Sequence, residues 1–267
     1  MRIISIANQK GGVAKTTTTI NLGASLASMG RKVLLIDLDP QAHTTLGLSL
    51  EPDSLSKTVL NVLEPLRSKS RLKLEEIIIK MKLDGEDNLF LAPSNIDFAS
   101  AEYKLIDQIG REDFLSASIR ECKIPFDYII IDCPPSLGIL TVNALKACNE
   151  VLIPMQPHYF ALRGIEEFME TADIVRRNLN HPMKIFILIT IADMRNNLTK
   201  EIIEEIKHYF SEKLFKTTIR KNITLVEATS QGVPVFYYNP KCHGAIDYYK
   251  LAEEVMSFEK EEISAGI

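Results

Sequence analysis

Cysteine is scarce in this chain, and its few copies share no spacing. Cys122, Cys133, Cys148 and Cys242 form no pair at a metal-binding interval, so they predict reduced, mostly buried thiols rather than a disulfide framework or a zinc site. The histidines His43, His158, His181, His208 and His243 also lack a shared ligand spacing, which argues against catalytic zinc. No apolar run reaches the roughly 18 to 20 residues that a bilayer crossing needs. The opening Met1-Arg2-Ile3-Ile4-Ser5-Ile6-Ala7 is too short for a signal peptide, and Lys10 ends any extension of it. A soluble, cytoplasmic protein is therefore expected. An excess of positive charge is missing too. Lys and Arg number 31 against 35 Asp and Glu, a formal net charge of -4, so bulk electrostatics do not announce a nucleic-acid binder. A local basic patch remains open, because phosphate attraction depends on where the cations sit. Internal repeats and low-complexity linkers are absent as well.

What is present is a chain of 267 residues, 46% of them hydrophobic, enough for one large domain with a substantial core. Residues 3–7 read as a buried strand, 10–15 as a glycine-bearing turn and 16–29 as a helix that Gly30 stops by accepting a left-handed backbone. A second strand follows over 33–36. Strand, loop, helix and strand make a βαβ unit, which favours a mostly parallel sheet covered by helices on both faces. The region 49–85 predicts short helices over 58–63 and 74–81 in an inserted surface segment. Further strands are expected over 89–92, 126–132, 151–154, 184–191 and 216–219. Helices are expected over 96–109, 112–121, 138–148, 164–178, 225–230 and 244–258, with one more capped by Thr199 and running to 209. The apolar run Ile129-Ile130-Ile131 marks a central strand, buried on both faces. Residues 1–258 read as a single domain and 259–267 as a flexible acidic tail.

Lys10-Gly11-Gly12-Val13-Ala14-Lys15-Thr16-Thr17 lies directly between the first strand and the first helix. Successive backbone N–H groups in such a turn can face phosphate oxygens, and glycine admits the close approach. The start of the helix adds its positive end. Lys15 is placed to reach β- and γ-phosphates, the Thr16 hydroxyl to ligate Mg²⁺, and Thr17 to meet the α-phosphate. The loop departs from the ordinary G-x-x-x-x-G-K-[ST] pattern, with Ala14 and Lys10 at the two glycine positions. Asp132 ends the apolar strand, where a carboxylate can hold Mg²⁺ through water. Asp39 ends the second strand and can orient an attacking water. Asp37 reads as metal support or as structural. Cys133-Pro134-Pro135-Ser136-Leu137-Gly138 is a stiff turn able to sense the γ-phosphate, and His43 reads as a surface loop residue close to the site.

The chain resembles the ParA/Soj family of chromosome or plasmid partitioning ATPases, P-loop proteins with a deviant Walker A loop. The resemblance spans residues 1–258. It rests on the loop from Lys10 to Thr17, on Asp37-Leu38-Asp39-Pro40-Gln41 and on Ile131-Asp132-Cys133-Pro134-Pro135. It implies a three-layer α/β/α P-loop NTPase fold and slow, Mg²⁺-dependent hydrolysis of ATP to ADP and phosphate. Gly11, Gly12, Val13, Ala14, Lys15, Thr16 and Thr17 would hold the nucleotide. Thr16, Asp132 and Asp39 would serve the metal and the attacking water. Two subunits would sandwich two ATP molecules, with Lys10 crossing to phosphates held by the other subunit and Gly12 at the close approach. The ATP-bound homodimer would bind DNA without sequence preference, on the nucleoid. A centromere-binding partner of the ParB/Spo0J type would stimulate hydrolysis and release it. Arg195 carries over from the family's DNA-binding element. The second arginine of the later element is Thr224 here, so Arg220 and Lys221 stand as nearby substitutes on physical grounds. The segment 219–234 would close over the adenine.

Three other functions compete. A division-site ATPase of the MinD type needs a basic amphipathic C-terminal helix, whereas this chain ends Phe258-Glu259-Lys260-Glu261-Glu262, which predicts no membrane binding. A metal-cluster ATPase of the nitrogenase-reductase type needs paired intersubunit cysteines. A nucleotide-gated scaffold would bind ATP without turning it over.

Overall fold

In the computed structural model, residues 1–65, 68–85, 87–96, 105, 107–159 and 161–265 are described, with side chains as far as Phe258. Seven strands form one sheet in the order β3-β4-β2-β5-β1-β6-β7. They are β1 (Arg2–Ile6), β2 (Val33–Asp37), β3 (Ile79–Lys80), β4 (Leu89–Ala92), β5 (Tyr128–Asp132), β6 (Glu150–Met155) and β7 (Lys184–Ile189). All pairings are parallel except that of β3 with β4. The chain passes from β1 to β2 over the place that β5 later fills. The connections run one way from β1 and the opposite way from β5 to β6, and such sheets open a crevice at the carboxyl ends of the strands where the connections diverge.

The helices are α1 (Lys15–Ser28), α2 (His43–Leu46), α3 (Phe114–Glu121), α4 (Ile139–Ala147), α5 (Ala161–Leu179), α6 (Asn197–Phe210), α7 (Ile223–Ser230), α8 (Val235–Tyr238) and α9 (His243–Ala265). Alternate strand residues feed two cores. Ile3, Leu34, Ile36, Ile129 and Ile131 pack beneath α3, α4 and α5. Ile4, Ile6, Leu35 and Ile130 pack beneath α1 and α9. Strands buried on both faces read as continuous apolar runs, which is why β5 stood out in the sequence. At Gly23 of α1 a Cβ would come within 2.5 Å of the Leu35 side chain, so glycine there sets how closely α1 lies on β2.

Several local expectations need correction. Over 58–63 and 74–81 only the short 3-10 turns Val59–Asn61 and Leu74–Glu76 form. Segments this short do not offset the initial cost of a helical turn, and Ile79–Lys80 instead pairs along the edge of β4. Nor does the region 49–85 lie merely on the surface, because Val59, Val62, Leu63, Leu74 and Ile77 are buried in the core. The segment 216–219 forms no strand. The Lys216 and Thr217 N–H groups donate to the Glu254 carboxylate at 2.7 and 2.9 Å, leaving isolated bridges Ile187↔Leu214 and Ala192↔Arg220 beside β7. Asn196, not Thr199, caps α6, its side chain accepting the Leu198 N–H at 3.0 Å, while Thr199 is buried. Helix α5 begins at Ala161, earlier than the expected 164, and α9 runs to Ala265. The helix expected over 96–109 lies largely outside the described residues. Gly30 does adopt the left-handed backbone, with φ +81°.

Candidate functional site

The carboxyl ends of β1, β2 and β5 converge on a cleft of about 440 Å³ lined by Gly11, Gly12, Ala14, Lys15, Thr16, Thr17, Asp39, Gln41, His43, Pro135 and Ile191. The loop from β1 reaches α1 through two left-handed residues, Gly12 at φ 72° and Ala14 at φ 70°. This turns the start of α1 toward the cleft. No side chain caps that helix end, and its first turn holds no acidic residue, so its positive end is not neutralised locally. Thr190, just beyond β7, donates its hydroxyl to the Val13 carbonyl at 2.9 Å and fixes the loop from the far side. The next residue, Ile191, holds φ 53°, an unfavourable conformation for a branched side chain.

Lys15 is buried, with its Nζ 3.1 Å from the Lys10 carbonyl. Burial lowers its pKa, and the charges of Asp132 and Asp39 oppose that. Asp132 is buried, and its Oδ2 accepts hydroxyls from both Thr16 and Thr44 at 2.7 Å. Its Oδ1 is buried with no hydrogen-bond partner among the described residues. Burial pushes the Asp132 carboxyl up, and the two threonine hydroxyls pull it back.

Asp37 faces Asp132 in register across β2 and β5. Its Oδ1 accepts the Asp39 N–H at 3.2 Å, and its Oδ2 accepts the N–H and hydroxyl of Thr45 at 2.9 and 2.7 Å. Burial pushes its carboxyl up strongly, and the neighbouring Asp132 adds to this. Both oxygens of Asp37 are thus engaged in holding the 39–45 turn. Asp39 accepts the Gln41 N–H at 2.9 Å and lines the cleft.

The residues fit a magnesium ion arriving with a nucleotide. Among the described residues no cluster of three or more His, Cys, Asp or Glu could hold a metal alone. Mg²⁺ is commonly held by one or two carboxylates together with phosphates and water. The unpartnered oxygen of Asp132 beside the Thr16 hydroxyl has that chemistry.

Lys10 is exposed and points away from the other loop contacts, its Nζ meeting His158 Nε2 on the segment after β6. The expected DNA residues do not line the cleft but lie in the segments that follow β7 and bridge beside it. Arg195 is paired with Asp193 at 2.7 and 2.9 Å on the surface. Arg220 grips the buried Asp247 at 2.6 and 2.9 Å. The Lys221 side chain is exposed, while its N–H bonds the Ala192 carbonyl at 3.0 Å. The bridge Ala192↔Arg220 brings Asp193, Arg195 and Lys221 close together.

Sequence reasoning missed Thr44, Thr45, Thr190, His158 and Asp247. Thr44 and Thr45 follow Asp37-Leu38-Asp39-Pro40-Gln41 after only Ala42 and His43, so two hydroxyls close to that element were a readable signal. The others reach their partners across long stretches of chain and left none. Among the described residues no helix is long and apolar enough to cross a membrane.

Comparison with known proteins adds four likenesses. Residues 1–185 match the family described as AAA domain. The chain is 44% identical over 255 residues to the sporulation initiation inhibitor protein Soj of Bacillus subtilis, covering 95% of this chain and 98% of that one. It is 41% identical over 256 residues to the chromosome partitioning protein ParA of Myxococcus xanthus, covering 96% and 88%. The solved structure of cobyrinic acid a,c-diamide synthase from Mycobacterium smegmatis, with bound ATP analog and magnesium, matches with a TM-score of 0.83 at 33% identity, over 97% of this chain and 96% of that one.

Proposed function

This chain belongs to the ParA/Soj family of chromosome-partitioning ATPases, and we propose that it works by an ATP-dependent sandwich dimer that binds DNA and is reset by hydrolysis. The reading rests above all on Asp132. Two hydroxyls, from Thr16 in the phosphate loop and Thr44 in the 39–45 turn, meet on one oxygen, while the other oxygen is buried without a partner among the described residues.

The backbone from Gly11 to Thr17 and the open end of α1 cradle the phosphates. Lys15 neutralises β- and γ-phosphate charge. Thr16 and Asp132 would hold the metal when it arrives with the nucleotide. Mg²⁺, when bound, draws charge from the phosphate oxygens that gain it during transfer. Asp39 orients the attacking water and accepts its proton, held in place because Asp37 fixes the turn behind it. Lys10 crosses to the facing subunit, where lysines from both sides offset the repulsion of two triphosphates and make dimerisation depend on ATP. Loss of the γ-phosphate removes that link.

The dimer presents two copies of Arg195 and Lys221 to DNA. Phosphate contacts of this kind ignore sequence and weaken with salt. Arg220 is held by Asp247, so its part is to support Lys221 rather than to touch phosphate. A centromere-binding partner of the ParB/Spo0J type stimulates turnover and frees the DNA.

A DNA-binding titration of the purified protein with ATP, with ADP and without nucleotide tests this reading. Binding with ATP alone is the expected result. Equal binding in all three states removes the nucleotide switch, and ATP binding without turnover leaves a scaffold.

A further inference from the structure

Lys10 is strapped to its own subunit at three points. Its N–H donates to the Asn8 side chain at 2.9 Å, and Asn8 in turn donates to the Pro154 carbonyl at 2.8 Å. Its carbonyl accepts the Lys15 ammonium at 3.1 Å. Its own ammonium is seated on His158 Nε2. The first two contacts can persist in an assembled dimer. The third cannot, because an ammonium on His158 is not reaching a facing subunit.

We propose that His158 is a positioning residue that docks Lys10 on its own subunit and so sets how much ATP-bound protein is needed to form the dimer. This rests on the crossing role of Lys10 in the sandwich reading. An imidazole nitrogen that accepts an ammonium N–H carries no proton, so the docked ring is neutral, with its proton on Nδ1. Protonation of the ring removes the acceptor and sets two cations against each other. Lys10 is the charged group that faces the ring from the phosphate loop. On the ring's own side Arg163, in the first turn of α5, is engaged with Glu167 at 3.0 Å. Burial and then Lys10 hold His158 below the ordinary histidine range, so release by acid falls on the acid side of that range.

The dock competes with the triphosphate of the other subunit. A protein whose binding-competent state is a minor one binds more weakly by that fraction. A partly exposed hydrogen bond from a charged donor favours the docked lysine roughly fivefold, leaving about one lysine in six free, and a dimer must break two docks, so the penalty on the dimer constant is roughly 36-fold.

The test is sedimentation of the full chain across a concentration range, with Mg²⁺ and a non-hydrolysable ATP analogue, at about pH 6 and about pH 8. His158→Ala should dimerise at about pH 8 with a dissociation constant roughly 36-fold below that of the parent. His158→Gln keeps a neutral acceptor that cannot titrate. It should match the parent at the higher pH and lack the parent's extra tightening in acid. Two results overturn the dock: an alanine variant with the parent's dimer constant, or a glutamine variant with the parent's full pH response. A parent and variants that all stay monomeric with the analogue overturn the sandwich reading and the dock with it.

Discussion

The Thr16 hydroxyl lies 2.7 Å from Asp132 Oδ2, joining the first turn of α1 to the end of β5 across 116 positions of sequence. Thr44 reaches the same oxygen from the 39–45 turn. One carboxylate thus ties together the phosphate loop and the turn that carries Asp39. A hydroxyl that gives its proton to Asp132 keeps its lone pairs for a cation, so the contact leaves Thr16 able to ligate metal.

Asp39→Ala separates binding from turnover. The Asp39 side chain lines the cleft and contacts the Gln41 N–H, whereas Lys15, Thr16 and Asp132 stay intact. Nucleotide affinity should change little and the analogue-bound dimer should persist. Phosphate release should fall by roughly 10² to 10⁴-fold, the usual contribution of a positioned base. Unchanged phosphate release would take Asp39 out of its assigned role.

The basic patch predicts different outcomes for three cations. Arg195→Ala with Lys221→Ala should weaken DNA retention and lower the slope of log affinity against log salt by up to roughly 0.9 for each phosphate that is no longer neutralised. The dimer should be unaffected. Arg220→Ala should also lower thermal stability, because it strands the buried Asp247 carboxylate. DNA affinity at low salt that survives the double substitution would remove the patch.

Half-buried Arg2 and buried Glu150 form a pair at 2.6 and 2.7 Å between β1 and β6. Arg2 also donates to the Val255 carbonyl of α9. Glu150→Gln leaves the half-buried guanidinium without its counter-charge, which should destabilise the fold by about 1 to 3 kcal/mol. Urea denaturation measures this, and a midpoint equal to the parent's would contradict it.

The thiols should divide into two classes. Cys133 and Cys148 are buried and Cys122 and Cys242 half-buried, all four being free. Burial pushes the Cys133 thiol well up and that of Cys148 to about 12, so both stay protonated at neutral pH and lack the reactive thiolate. Labelling of the folded protein at about pH 8 should reach Cys242 first. Rapid labelling of Cys148 without unfolding would show that the core opens locally.

Much of the framework was legible before any coordinate. Apolar runs such as Ile129-Ile130-Ile131 announce strands covered on both faces, and Gly30 announces a helix end, because each depends on neighbouring residues alone. The same holds for the glycine-bearing pattern of Lys10 to Thr17, although Thr190 secures that loop from across the fold. The 216–219 segment was misjudged for the opposite reason. Its branched residues suit a strand, but a carboxylate from α9 takes the N–H groups a ladder would need.

By itself the sequence determined the order of elements, the phosphate loop and the aspartates that end β2 and β5. These follow from patterns a few residues long. Tertiary structure alone decided that Asp37 holds a turn, that Arg220 is anchored on Asp247 and that Lys10 rests on His158. Each of these roles is set by a partner that lies elsewhere along the chain, and whether a charged side chain is free or engaged depends on what the completed fold brings beside it.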